Sequence, residues 1–200
     1  MKRGSFFYSI GDFILRSRVM ISAVAFSLLL IWDIFFEKVR PRALFSLEDV
    51  WGPFGTVFVL GGLFFRSWAA GVISKGETLA TTGPYALTRH PLYAGTFLII
   101  TGFCILIPDG KNIWVVSALA IFIYLPKMRR EEFLNSIKFG EQWKRYVERT
   151  SVLFPKTFAI NIRSGWSISR WLENREYRGV LFSLLMLVFV VFWREFFYGS

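Results

Sequence analysis

At 200 residues, with 54% apolar side chains, 23 Phe and 8 Trp against 19% charged residues, the chain carries more apolar surface than a soluble domain of this length can bury. A single Cys and a single His exclude an internal disulfide and a Cys/His metal centre. The net charge of +10 suits either nucleic acid or anionic lipid, and its distribution along the chain decides for lipid.

The apolar residues fall in runs of roughly 18 to 20, the length that crosses a ~30 Å hydrocarbon core at about 1.5 Å per residue. Inside lipid every backbone polar group must pair internally, so such runs are read as helices. Five spans are predicted, over Val19 to Phe36, Pro53 to Val72, Pro91 to Ile107, Ile113 to Pro126 and Val180 to Phe197. No small-residue cleavage site follows the first run, which is expected to be a retained span rather than a signal peptide. The fourth run is short, and Pro126 is expected to kink it or end its membrane portion. Cys104 falls inside the third run, where a lone thiol is expected to behave as a small apolar side chain.

Between the spans, the stretch from Lys75 to His90 is rich in turn formers: Gly76, Thr81, Thr82, Gly83 and Pro84. From Lys127 to Arg149 the pattern is helical and highly charged, with Phe133, Ile137, Trp143 and Tyr146 spaced as one apolar stripe. Residues Ser164 to Arg178 mix Trp166, Trp171 and Tyr177 with Arg163, Arg170 and Arg175, a mixture that suits a helix at the lipid interface or an amphipathic linker. With the N-terminus in the cytosol, Lys2, Arg3, Arg16, Arg18, Arg66, Lys75, Arg89 and the basic residues of 127–178 all lie inside. Only Lys38, Arg40, Arg42, Lys111 and Arg194 lie outside. The positive-inside rule therefore predicts a cytosolic N-terminus.

Two clusters of reactive side chains fall on that same face. The first is Gly83 to Gly95, where Pro91 suits the first position of a helix and His90 stands at its cap beside unpaired N–H groups. Such a site favours a carboxylate or phosphate, while Gly95 would let a flat ring press against the helix. The second is Lys127-Met128-Arg129-Arg130-Glu131-Glu132, followed by Phe139-Gly140 and Tyr146, in which Lys127 and Glu131 are one turn apart and can pair.

Arg89-His90-Pro91-x-Tyr93-x-Gly95, then Glu131-Glu132, Phe139-Gly140 and a Tyr146 to Arg149 tail, resembles the isoprenylcysteine carboxyl methyltransferase family and the related phospholipid N-methyltransferases. The resemblance covers roughly Arg66 to Pro155. It implies an all-α integral membrane enzyme of about five transmembrane helices, with a cytosolic C-terminal catalytic region that uses S-adenosylmethionine. On that resemblance Tyr85, His90, Pro91, Leu92, Tyr93 and Glu131 are the cofactor contacts, and Glu77, Thr78, Leu79 and Ala80 add backbone contacts. Lys127 or Arg130 would orient a lipid-like substrate, and Glu132 is the nearest base for an amine acceptor. The chain departs from the family at Arg149-Thr150-Ser151, where animal members read Arg-Val-Pro, and at Lys127, where they carry an arginine.

The expected organisation is an N-terminal arm and hairpin over 1–72, a cofactor-binding core over 73–155, and an interfacial segment with a last span over 156–200. Membrane lipids and an amphiphilic substrate are the expected partners, with no metal and no nucleic acid. Rival readings are a membrane scaffold or binding protein of the same fold, a nicotinamide-dependent membrane reductase, and a small transporter. Asp33, an acidic residue inside the first apolar run, has no explanation in the sequence, and a helix neighbour is one candidate partner for it.

Overall fold

The computed structural model describes residues 24–46, 48–74, 77–155 and 165–199. The basic N-terminal arm (Lys2, Arg3, Arg16, Arg18), the first residues of the first expected span, Lys75, Gly76, Arg163 and Ser164 lie outside the described residues. Seven helices are described: α1 (Val24–Phe35), α2 (Trp51–Val72), α3 (Pro84–Leu87), α4 (Pro91–Leu106), α5 (Gly110–Arg149), α6 (Ile168–Glu173) and α7 (Glu176–Tyr198). Among the described residues there is no strand, only an isolated parallel bridge between Thr88 and Ser151.

The chain is a membrane protein. Helices α2, α5 and α7 are long and apolar enough to cross a bilayer, whereas α1 and α4 are apolar but shorter. Of the five expected spans, three are thus matched by helices of spanning length among the described residues, while the described part of α1 and the whole of α4 fall below the ~20 residues that a 30 Å core requires. Phe54, Val57 and Phe64 on α2, and Leu185, Val188 and Phe192 on α7, are exposed, as lipid-facing side chains must be.

The described residues fall into two compact units. One holds α1 and α5 as far as Glu132, and the other holds α2, α3, α4, the remainder of α5, α6 and α7. In the first, the buried Asn112 side chain donates to the buried Asp33 carboxylate at 2.6 Å, which gives the acidic residue of the first apolar run its helix neighbour. Asp109 accepts from the Lys111 N–H at 3.0 Å at the start of α5, and Lys111 pairs with Glu37 below α1.

The second unit is built on the pairing of α2 with α4. Gly55 and Gly62 lie seven residues apart on α2, as do Gly95 and Gly102 on α4, so each pair lies on one face. A Cβ on Gly62 would stand 2.7 Å from the Gly95 carbonyl oxygen, and one on Gly102 would stand 2.6 Å from that of Gly55. Backbone therefore meets backbone. Gly95 faces α2, with the Arg66 Cγ only 2.5 Å from a would-be Cβ, so the space expected for a flat ring is filled by protein.

The carbonyls at the C-terminal end of α2 would be left unpaired by the helix itself. Ser167 N–H donates to Gly71 O at 2.9 Å, Arg170 Nη1 to Val72 O at 2.7 Å, and Asn174 Nδ2 to Ala70 O at 2.8 Å. Trp166 Nε1 reaches Ser67 O at 3.1 Å. The amphipathic stretch before the last span is thus a cap on α2, and α6 is its short helical part.

One local expectation changes. Helix α5 contains Pro126 and has a break at Gly140 (φ 48°, ψ −119°), a conformation that glycine adopts without strain. That break splits the expected stripe: Phe133 and Ile137, before it, are exposed, while Trp143 and Tyr146, after it, are buried.

Gly95→Val is expected to lower stability by at least ~2 kcal/mol, because its side chain meets backbone that cannot retreat. Gly61→Ala, which meets nothing within 4 Å, is expected to be neutral or to stabilise by about 0.5–1 kcal/mol. Thermal unfolding in detergent checks the contrast, and equal midpoints for the two variants would sink it.

Candidate functional site

The first of the two clusters singled out in the sequence lies where α2 ends and α4 and α7 begin. Gly83 (φ 59°) turns the chain into Pro84, whose fixed φ suits the first position of α3. Thr88 is extended, and His90 is held out of the helical region by the following proline, at φ −126° and ψ 58°. His90 is therefore the cap residue and Pro91 opens α4, as expected. The His90 carbonyl accepts from the N–H groups of Tyr93 and Ala94, both at 3.0 Å. Its ring is 5% exposed and lies 5.6 Å, centroid to centroid, from that of Tyr93.

The end of α5 straps this segment in place. Tyr146 donates its hydroxyl proton to Tyr85 O at 2.7 Å. Arg89 N–H donates to Ser151 O at 2.9 Å, and its guanidinium donates to Thr150 O at 3.0 Å and Val147 O at 3.3 Å. Thr88 Oγ1 completes the strap on Val152 O at 2.5 Å. Arg89 so placed pairs with the carbonyls that α5 leaves open at its C-terminus, where a cation also meets the negative end of the helix dipole. Burial pushes the Tyr146 hydroxyl well above the usual tyrosine range.

One group of expected site residues is brought together here. Tyr85, His90 and Pro91 are buried, Leu92 and Tyr93 are half-buried, and Ala80 packs with Leu92 against Ala69, Val72 and Tyr85. Leu79 is half-buried, while Glu77 and Thr78 are exposed. Lys127, Arg130, Glu131 and Glu132 belong to the first compact unit, where Lys127 Nζ lies 3.4 Å from Glu131 Oε1 in the expected one-turn pair.

A charged pair that the sequence reading passed over sits beside the strap. Arg66, counted there as part of a connection, lies within α2 and donates from Nε and from one terminal nitrogen to the two Glu176 oxygens, at 2.7 and 2.9 Å. It also reaches Thr96 Oγ1 and, at 3.4 Å, Leu92 O. Glu176 is 4% exposed and occupies the first turn of α7, near the positive end of that helix. Arg66 interrupts an apolar run, which was the available signal, whereas Glu176 lies among other charged residues just before one. The pull of Arg66 on Glu176 also explains why α7 starts four residues before the expected Val180.

Among the described residues no group of three or more His, Cys, Asp or Glu side chains is arranged to hold a metal ion. The fold and strap define a helical membrane protein whose helix-end carbonyls are met by side chains from neighbouring segments. No protein-family model matches the chain, and no solved structure matches it. It is 33% identical over 105 residues to the cobalt-zinc-cadmium resistance protein CzcN of Cupriavidus metallidurans, covering 52% of this chain and 48% of that protein. It is 32% identical over 158 residues to the nickel-cobalt-cadmium resistance protein NccN of Alcaligenes xylosoxydans xylosoxydans, covering 74% of this chain and 68% of that one. The chain belongs to the family of these metal resistance proteins. It spans about half the length of the first and about two thirds of the second.

That membership corrects the sequence reading. The resemblance to the isoprenylcysteine carboxyl methyltransferase and phospholipid N-methyltransferase families had implied an enzyme methylating a lipid-like substrate, whereas the relatives are named for metal resistance. With the enzyme reading go the substrate-orienting roles of Lys127 and Arg130 and the base role of Glu132. The physical reason lies in what the motif does locally. Arg89 closes a helix end, Pro91 opens another, Gly95 admits a neighbouring helix and Tyr146 holds a turn, and none of these tasks requires a reaction.

Arg66→Ala leaves the Glu176 carboxylate buried without its partner, and a loss of roughly 3–5 kcal/mol is expected. The paired change Arg66→Met with Glu176→Leu is expected to cost much less, and detergent unfolding of the three proteins reads the difference. Tyr146→Phe is expected to cost about 1 kcal/mol at neutral pH. Because the folded pKa of Tyr146 is raised, its contribution is complete below the unfolded value near 10 and is lost as pH rises toward the folded one. The wild type is thus expected to lose more stability than Tyr146→Phe between neutral pH and pH ~11, and parallel pH profiles would count against the strap.

Proposed function

We propose that this chain is a membrane-embedded component of a resistance system for divalent transition-metal ions, the class to which cobalt, nickel, zinc and cadmium belong. The observation that carries the reading is the identity shared with NccN along 74% of the chain. In this reading α1 and α4 join α2, α5 and α7 as membrane segments, and the His90 strap faces the cytosol. The excess of Lys and Arg on the connections of that side supports this orientation.

The chain supports resistance without carrying the ion on soft ligands of its own. A tetrahedral nitrogen or sulfur site takes three or four His and Cys side chains, and these 200 residues contain one of each. The segment around Tyr85, His90, Pro91, Leu92 and Tyr93 is where a small polar ligand would bind, and S-adenosylmethionine is the ligand that the sequence resemblance names for it.

The decisive experiment deletes the gene from its host and restores it on a plasmid, scoring growth in cobalt, nickel, zinc and cadmium. Deletion is expected to lower the tolerated concentration of at least one ion, wild type and Cys104→Ala to restore it, and Gly95→Val to fail. Unchanged tolerance on deletion would overturn the proposal. Calorimetry on the purified chain separates the remaining points. Tight stoichiometric zinc binding that Cys104→Ala abolishes would overturn the accessory role. S-adenosylmethionine binding that His90→Ala weakens would support the ligand site, and its absence in folded protein would remove that ligand.

A further inference from the structure

At the opposite end of the second unit, where α2 begins and α4 and α7 end, residues 40–46 and 48–49 lie by the helix ends. Arg42 N–H donates to Leu106 O at 2.8 Å, and Arg194 Nη1 donates to Pro41 O at 3.0 Å. Between them lies an open cleft of about 430 Å³, whose lining includes Arg40, Arg42, Arg194, Ser46, Glu48 and Asp49. Three guanidinium groups thus border one concavity.

Their pairing is incomplete. Arg42 Nη1 holds both Asp49 oxygens at 2.8 Å, which keeps that carboxyl below the usual carboxylate range, and Ser46 Oγ accepts from the N–H groups of Glu48 and Asp49. Arg42 Nε, however, is buried and has no hydrogen-bond acceptor among the described residues. A buried charged donor left without an acceptor is costly, and such groups ordinarily mark a missing partner. Arg40 is exposed, with its Cζ 6.0 Å from the centre of the Tyr198 ring. Arg194 Nε lies 3.7 Å from the exposed Glu195 carboxylate at the rim, and the cleft lining itself carries three arginines against Glu48 and Asp49.

The surroundings say from which phase a ligand arrives. Phe45, Trp51 and Phe54 on one side and Phe196 and Phe197 on the other are all exposed, Phe45 to 80%. Trp51 at the first residue of α2 and Tyr198 at the last of α7 are the amphipathic aromatics that sit at the level of the lipid headgroups. Arginine forks match the oxygens of a phosphate better than any other side chain. We propose that this cleft seats the phosphate of a phospholipid headgroup, whose acyl chains lie along the exposed faces of α2 and α7. The site is independent of the metal-resistance reading and of the His90 strap.

Native mass spectrometry of the detergent-purified full chain, titrated with phosphatidylglycerol, tests it. Wild type is expected to retain bound lipid. Arg40→Gln with Arg194→Gln is expected to weaken retention about tenfold, the equivalent of one strong charge-assisted contact. Lys144→Gln, which removes an exposed charge on α5, is expected to leave retention unchanged. Arg40→Gln alone keeps the test valid if loss of the Arg194 contact to Pro41 O unfolds the double variant, because Arg40 makes no hydrogen bond among the described residues and a severalfold weakening is still expected. Phosphatidylcholine bound with the same arginine dependence would support the phosphate as the recognised group. Retention insensitive to Arg40→Gln would overturn the site, and displacement of lipid by millimolar inorganic phosphate would overturn the lipid as its source.

Discussion

The close approach of α2 and α4 is the constraint on which the second unit depends. Four glycines let the two backbones meet at Gly55–Gly102 and Gly62–Gly95, and this contact decides where the neighbouring charge can go. Because Gly95 has no side chain, the stem of Arg66 lies across α4 and its guanidinium reaches Thr96, the Leu92 carbonyl and Glu176. A side chain at 95 would displace that stem before it touched any ligand. The position of α7 follows, since its first turn is anchored through Glu176. The position of α6 follows in turn, because the residues just before α7 cap the end of α2.

Such an order of dependence suits a lipid environment. Lipid tails are as apolar as leucine, so helices gain nothing by hiding apolar faces from them. Association rests instead on dense packing and on polar contacts that have no alternative partner. The seam of small residues supplies the first and the Arg66–Glu176 pair the second. Removing two charges from water is expensive, so the pair contributes more to the register of α7 than to net stability. Its value is that no other placement of α7 satisfies Glu176. The Asp33–Asn112 pair has the same logic in the first unit, where one buried polar side chain finds one partner on a different helix.

Much of the local structure was legible in the sequence because it follows from short-range rules. The apolar runs gave α2 and α7 to within a few residues, Pro91 and His90 marked the start of α4, and the Lys127–Glu131 pair follows from helical spacing alone. What was hidden depends on tertiary partners. Gly140 reads as an ordinary helix residue until its positive φ separates Ile137 from Trp143. Arg66 looked like a loop cation because its acceptor is more than a hundred residues away. The seven-residue glycine spacing on both α2 and α4 was visible, but only the pairing of the two helices gives it meaning.

The candidate site was legible in the same uneven way. Lys127 to Glu132 belong to the other unit, while the strap between the Tyr85–Tyr93 segment and the end of α5 joins two motif pieces that lie far apart in the chain. Their chemistry was misjudged because each motif residue has a backbone task that is complete in itself. An arginine that closes a helix end and a tyrosine that holds a turn look the same in sequence whether or not a reaction occurs beside them, so a motif of this kind reports local geometry first. Function has to be argued from what the geometry leaves over. In the strap the Arg89 and Tyr146 donors are spent on backbone carbonyls. The unspent donors lie at the other end of the unit, where Arg42 Nε is buried without an acceptor beside two further arginines. The surplus charge therefore lies at the end of the helices that the motif does not reach, in the part of the chain whose loop cations had been read only as a minority on the wrong side of the membrane.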